Sequence, residues 1–297
     1  MLQLSDFIQQ KSNTLNFNFD TSWVVLSPIE QSIKSKIEAV GVPLKDWNIE
    51  INYGIKTGCN EAFIVNSEKR QEILSLCKNE EERKRTAELI RPILRGRDIK
   101  QYGYDWNDLW LINIHNGVKG KVKKIDIDEY PSIKSHLDQF IEKITKRSDK
   151  GDTPYNLRNC VYLDNFDQPK VIYPNMTKFL PFVYDENKYY VNQKCFFITS
   201  ETPAYLTAFF NSSLFKFCFR ENFPELQGGT RELSKIFFDK IPVLPVSLEK
   251  EKEFLNMVRK TQASPTKENL LSLDAAIFDI YRLTAEEREI IGYIEIQ

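Results

Sequence analysis

Lys170-Val-Ile-Tyr173, Phe182-Val-Tyr184, Tyr189-Tyr-Val191 and Cys195-Phe-Phe-Ile-Thr199 follow one another closely in the chain. Each run is short and dominated by β-branched and aromatic side chains, and polar residues separate them. That is the pattern of successive strands rather than of helices, which need ten or more residues at a period of 3.6. Asp185-Glu186-Asn187, between two aromatic runs, reads as a hairpin turn. Further strands are predicted upstream at residues 49–52, 62–65 and 110–114, and helices interrupt them at 80–90, 133–145 and 203–217. Near the start, Trp23-Val-Val-Leu26 reads as a short strand. Ser27, Pro28 and Glu30 then form a capping box at the head of a helix with Ile29, Ile33, Ile37 and Val40 on its apolar face, closed by Gly41. Beyond Ile241-Pro-Val-Leu-Pro-Val246, a proline-stiffened exit, amphipathic helices are predicted at 248–260 and 267–281, with a short one capped at Thr284. The expected fold class is α+β: a strand-rich domain with inserted helices, followed by a helical C-terminal tail. The expected division is an arm, strand and capped helix over 1–45, a main domain over 46–245 and a helical tail over 246–297.

The 297 residues are 41% hydrophobic and 28% charged, the composition of a folded chain with a substantial core. Apolar runs fall well short of the roughly 20 residues a membrane helix requires. The opening Met1-Leu-Gln-Leu-Ser-Asp-Phe lacks a basic and then apolar leader, so cytoplasmic residence and no membrane partner are expected. Net charge is only -1, but it is unevenly spread. Residues 83–160 hold 17 Lys/Arg against 11 Asp/Glu, and residues 246–297 hold 7 against 10. A basic middle beside an acidic end suits one anion-facing surface. Five scattered cysteines with no C-x-x-C pair read as reduced thiols, and two histidines, His115 and His136, show no metal-ligand spacing.

Catalytic motifs are conspicuous by absence. Gly54-Ile-Lys-Thr-Gly58 has the letters of a phosphate loop in the wrong order, and neither a G-x-S-x-G elbow nor a G-x-G-x-x-G fingerprint occurs. Asp164 or Asp167, with Glu186 and Lys188, mimics the carboxylates and lysine of a Mg²⁺ nuclease, although charged residues are equally expected at a wet hairpin tip.

Three polar stretches have the chemistry of nucleic-acid contact. In Tyr53-Gly-Ile-Lys-Thr-Gly-Cys-Asn60, two glycines bracket Lys56 and Thr57, with Asn60 close behind. In Arg91-Pro-Ile-Leu-Arg-Gly-Arg-Asp-Ile-Lys100, Arg95 and Arg97 flank Gly96, and Lys100 follows; a plain charged loop with Arg97 neutralised by Asp98 is the alternative. The third runs from Lys146 to Asn159 and holds Arg147, Lys150, Tyr155, Arg158 and Asn159, while Gly228-Gly-Thr-Arg231 repeats the idea later. Lys and Arg neutralise phosphates, Arg pairs with guanine and Asn with adenine. Each stretch alone reads equally well as a solvated turn or loop.

Taken in order, these stretches resemble a family. Trp47-Asn-Ile-Glu-Ile-Asn-Tyr-Gly-Ile-Lys-Thr-Gly-Cys-Asn-Glu-Ala-Phe63 and Ile90-Arg-Pro-Ile-Leu-Arg-Gly-Arg-Asp-Ile99 are similar to the TaqI-like C-terminal specificity domain of type IIG restriction–modification enzymes and adenine-specific DNA methyltransferases. Asp149-Lys-Gly-Asp-Thr-Pro-Tyr-Asn-Leu-Arg-Asn-Cys160, Tyr205-Leu-Thr-Ala-Phe-Phe-Asn-Ser212 and Leu273-Asp-Ala-Ala-Ile-Phe-Asp-Ile-Tyr-Arg-Leu-Thr284 fit the same pattern. The resemblance implies sequence-specific recognition of double-stranded DNA beside a methyltransferase or nuclease domain, in cis or on a separate chain. The N-P-P-Y catalytic motif is missing, since Thr153-Pro-Tyr-Asn156 is not it, and so is a glycine-rich cofactor motif. No catalytic residue and no cofactor is therefore expected in this chain; S-adenosylmethionine, with Mg²⁺ as a further candidate, is expected for the catalytic domains. The alternatives are a protein-interaction scaffold whose helical tail docks a catalytic partner, and a small metal-dependent nuclease.

Overall fold

The computed structural model describes residues 27–295; the expected N-terminal arm and the 23–26 strand lie outside them. The strands predicted from the aromatic runs build a four-stranded antiparallel sheet in the order Val183–Asp185, Lys170–Pro174, Cys195–Thr199, Glu50–Tyr53. All five residues of Lys170–Pro174 are buried, because both faces of this sheet are covered. Val171, Tyr173, Phe196 and Ile198 face one core, whereas Ile172, Cys195, Phe197 and Val183 face a second. Alternation along each strand thus divides the molecule into two apolar layers with the sheet between them.

The first core is mainly helical. The helix Pro28–Val40 begins with the expected capping box and buries Ile33 and Ile37, while Val40, expected on the same face, is exposed. The helix Pro203–Asn211 is buried along its whole length. The C-terminal helices Leu248–Ala263, Lys267–Ile280 and Ala285–Ile291 pack into this same core through Phe254, Val258, Ile277 and Ile291. Their carboxylates lock them in place. Glu251 accepts from the backbone N–H groups of Ala204 and Tyr205, both at 2.8 Å. Asp274 accepts from the N–H and hydroxyl of Ser213 at 2.8 and 2.5 Å. Each carboxylate satisfies otherwise unpaired donors at a helix start. Glu287 accepts from Ser32 and Lys36 of the first helix at 2.8 and 2.6 Å.

The second core lies under a mixed sheet in the order Tyr190–Val191, Ile90–Leu94, Leu109–Ile112, Ile64–Asn66. Four helices surround it: Ser67–Ser75, Glu80–Leu89, Pro131–Asp138 and Ile141–Lys146. Three local expectations are corrected here. Residues 62–65 are not one strand: Asn60–Phe63 is a helical turn, which lets consecutive Ala62 and Phe63 both point inward. The helix expected over 203–217 breaks at Ser212, because the Asn211 amide bonds both backbone groups of Phe182, and Ser212 caps a new helix, Ser213–Phe219. The helix expected over 133–145 is likewise two, parted at Gln139 and Phe140.

The hairpin expected at Asp185-Glu186-Asn187 is a corner between sheets. Val183–Asp185 pairs antiparallel with the central strand, but Tyr190–Val191 pairs parallel with Ile93–Leu94 in the other sheet. Asp185 is fully buried and holds the corner, accepting from the N–H groups of Asn187 and Tyr189, both at 3.0 Å. It also accepts from the fully buried Lys170 ammonium at 2.6 Å, which donates in addition to the Phe166 carbonyl at 2.6 Å. Burial pulls the Lys170 ammonium below its ordinary range, and Asp185 opposes that. Removing one partner strands the other charge in an apolar setting. Asp185→Ala is therefore expected to cost about 3–5 kcal/mol in urea unfolding, and the double variant Lys170→Met/Asp185→Leu clearly less. Equal losses in the two variants would show that the pair contributes little beyond its volume.

Candidate nucleic-acid interface

The first and third polar stretches meet in space. The Gly54 N–H donates to the Cys195 carbonyl at 3.0 Å and the Ile55 N–H to the Val191 carbonyl at 2.8 Å, which lays residues 54–55 directly on the Val191–Asn192 backbone. A Cβ on Gly54 would lie 2.2 Å from the Asn192 carbonyl oxygen, so glycine here serves close packing inside the protein. Arg147 then ties the two stretches together. Only 6% exposed, it donates to the carbonyls of Thr57, Asp149, Pro154 and Asn156 at 2.5, 2.8, 3.0 and 2.5 Å. Its guanidinium also lies over the Phe63 ring, 4.4 Å from the centroid. Burial lowers its pKa to about 10, still charged at neutral pH. The expectation that Arg147 faces DNA is corrected: its guanidinium is turned into the protein, with both terminal nitrogens engaged. Thr57 is also interior, donating to the Asn60 side-chain oxygen at 2.6 Å and accepting from the Cys59 N–H.

What this brace leaves outside is smaller than the sequence suggests. Lys56, half-buried beside the Tyr53 ring, lines a small cleft together with Arg158, Asn159 and Tyr162. Arg158 is exposed and steadied by Asp149 at 3.2 Å, while the exposed Asn159 side-chain oxygen accepts from Asn116. Asn60 is exposed at the start of its helical turn. Lys150 reaches back to the Thr145 carbonyl at 2.6 Å, and the Tyr155 hydroxyl donates to Asp138 at 2.5 Å.

The second stretch opens onto a groove of about 890 Å³. Six of its lining residues are cationic, namely Arg95, Arg97, Lys100, Lys178, Lys194 and Lys216, and none is acidic. Asp98 does not neutralise Arg97. Buried in the turn Gly96–Asp98, it pairs with Arg95 at 2.8 Å and accepts from the Arg95 N–H at 2.8 Å. Arg97 is thereby left exposed, with no ion-pair partner among the described residues, and Lys100 is exposed 3.6 Å from Asp105. Arg231 is a further correction. It is 3% exposed and donates to the carbonyls of Arg220 and Phe223 and to Glu221 and Glu225, so its neighbour Thr230 lines the groove in its stead.

The cleft and the groove flank one turn, Asn192-Gln-Lys194. Gly54 and Ile55 press on its start, the Asn192 N–H donates to the Leu94 carbonyl at 3.0 Å, and the Lys194 carbonyl accepts from the Asn175 N–H at 2.8 Å. All three loops are hung from sheet backbone, which gives the exposed side chains rigid mounts. Asn175, Met176, Lys178, Phe179, Asn192 and Lys194 are groove residues that the sequence reading missed. The signal was available: Asn175-Met-Thr-Lys-Phe179 and Asn192-Gln-Lys194 each place Asn and Lys just past a strand end.

The nuclease-like pattern does not assemble. Glu186 accepts from Arg259 at 2.9 and 2.5 Å and from Tyr184, with Arg259 holding its carboxyl below the usual range. Asp167 is ion-paired with Arg91. Among the described residues, no group of three or more His, Cys, Asp or Glu lies together in a metal-holding arrangement.

The chain is 24% identical over 284 residues to the Type II methyltransferase M.BstVI of Geobacillus stearothermophilus, an alignment covering 93% of this chain and 47% of that protein. It thus spans about half the length of that curated relative. Its fold is shared with part of the type IIL restriction–modification enzyme MmeI, solved in complex with DNA. The TM-score is 0.56 at 14% identity, over 82% of this chain and 33% of the enzyme. The type IIG restriction endonuclease BpuSI matches with a TM-score of 0.51 at 14% identity, over 86% of this chain and 33% of that one. The family model of the TaqI-like C-terminal specificity domain matches residues 91–243, which carry the Arg95–Lys100 turn, the groove and the central strands. Just over half of the chain lies within that match, and the chain belongs to the TaqI-like C-terminal specificity domains.

Proposed function

We propose that this chain reads the sequence of duplex DNA as the specificity part of a type IIG-like restriction–modification N6-adenine methyltransferase whose catalytic domains lie outside these residues, in cis or on a separate chain. The observation that carries this reading is the groove: six cations and no carboxylate converge on one concavity built from sheet-anchored loops. Such a site attracts a polyanion, and its affinity rests on released counterions. The exposed Arg97, Lys100, Lys178 and Lys194 are suited to phosphates. Lys56, Asn60, Arg158 and Asn159, across the Asn192–Lys194 turn, are suited to base edges. The groove does not fit S-adenosylmethionine: it offers no carboxylate to the ribose hydroxyls or to the cationic amino and sulfonium groups. That cofactor, and Mg²⁺ where the parent enzyme cleaves, is assigned to the catalytic domains.

Selection of bound duplexes from a random-sequence pool is the direct test; an enriched motif supports the reading, and an unenriched pool overturns it. If roughly four to six phosphates are neutralised, log K against log salt is expected to slope by about -4 to -5. Arg97→Ala is expected to weaken binding to all sequences alike and flatten that slope by about one. It should leave urea unfolding within about 0.5 kcal/mol of wild type, because Arg97 holds no ion-pair partner among the described residues. Arg147→Ala is expected to cost about 3 kcal/mol or more of stability, since four carbonyls lose a charged donor. Arg158→Ala is expected to cost about 1–3 kcal/mol on the preferred site and to relax preference at one base position. Supplied with S-adenosylmethionine, Mg²⁺ and plasmid, the purified chain is expected to transfer no methyl group and make no nick. Methylation or cutting that survives repurification would place a catalytic site inside these residues.

A further inference from the structure

The neutral polar side chains that line the cationic groove differ sharply in how far they are already engaged. Gln101 donates to the Asn211 carbonyl at 3.3 Å. Thr177 accepts from the Phe179 N–H at 3.0 Å, and Thr230 donates to the Gln227 carbonyl at 3.1 Å. The Asn192 side-chain oxygen accepts from the Lys194 N–H at 3.1 Å. Asn175 stands apart. Its backbone is clamped at both ends, the N–H to the Lys194 carbonyl and the carbonyl to the Leu233 N–H, each at 2.8 Å. Its side-chain oxygen is buried without a hydrogen-bond partner. A polar atom held out of water and left unpaired costs free energy, so turning this carboxamide outwards to meet a ligand breaks no hydrogen bond and relieves that cost. On the same segment Met176 and Phe179 are about half exposed, at 51% and 49%.

Resting on the DNA-reading function above, we infer that Asn175 is a specificity-determining residue that selects an A·T pair in the major groove. A carboxamide is the side chain that matches adenine bidentately: once turned into the groove, its oxygen accepts from N6–H and its NH₂ donates to N7. The clamped backbone fixes where that carboxamide can reach, as discrimination between bases requires. Met176 or Phe179 beside it supplies an apolar contact for the C5-methyl group of the paired thymine. The surrounding cations hold the phosphates and leave the neutral amide to read.

The test uses the full 297-residue chain and random-sequence duplex selection. Wild type is expected to enrich a motif with one invariant A·T pair that depends on Asn175. Asn175→Ala, with an unchanged melting transition, should lose that preference and weaken binding to the wild-type motif by roughly 5- to 150-fold, while binding to non-specific duplex stays the same. Asn175→Asp, nearly isosteric, should move the preference at that position towards C·G, because a carboxylate accepts from cytosine N4. A third arm needs no variant: 7-deazaadenine, lacking N7, at the critical position should weaken wild-type binding. Asn175→Ala enriching the wild-type motif with undiminished preference overturns the inference, as does indifference of wild type to 7-deazaadenine at every adenine of the motif. In both cases the DNA-reading function stands, because wild type has enriched a motif; a wild-type pool without enrichment overturns that function itself.

Discussion

A lysine ammonium and an aspartate carboxylate, 2.6 Å apart and closed off from water, organise this molecule. Lys170 opens the central strand and Asp185 ends its neighbour, so the contact fixes how the two are aligned: Asp185 opposite Lys170, Val183 opposite Ile172. With both faces of the sheet buried, a one-residue slip would exchange the side chains offered to the two cores. Asp185 also gathers the backbone of the corner that carries the chain from one sheet to the other. The far end of the central strand leads straight into Asn175 and the groove. A contact deep in the fold therefore sets where the loops of the groove begin.

The charges of this protein divide into two populations that composition cannot separate. Arg147 and Arg231 are internal fasteners, each satisfying backbone carbonyls that a loop without regular structure leaves unpaired. Glu251 and Asp274, within the acidic end of the chain, are fasteners of the opposite sign at helix starts. Part of the acidic character there thus holds helix starts in place instead of facing water. Arg97, Lys100, Lys178 and Lys194 remain outside and give the groove its field. A net charge of -1 is thus compatible with one strongly cationic concavity.

Elements with regular periodicity were legible in the sequence. Cys195–Thr199 spans the predicted residues, and the Ser27 capping box forms as read. Breaks made by tertiary contacts were not: Asn211 parts two helices by bonding Phe182, a residue remote in sequence. The strand Ile90–Leu94 was hidden by Pro92 and by a helical pattern running into Ile90. For the candidate interface, residue type singled out polar loops but could not say which side chains face outward. Arg147 and Arg158 belong to the same polar stretch, yet one is buried among four carbonyls and the other is exposed. Asn175 escaped notice because no glycine or arginine cluster drew attention to its segment, and only the fold brings Lys194 and Arg97 beside it.

The separation between fastening arginines and the exposed side chains proposed to read bases bears on how such a domain changes over generations. Arg147 holds the loop by backbone carbonyls, which every amino acid possesses, so the brace is indifferent to the side chains at Lys56, Arg158 and Asn159. Substitutions at those positions leave the loop's shape standing. A lineage can then drift from one target to another by single steps, each intermediate still folded. Brace and proposed reader are separate parts, and only the second needs to vary for the target to change.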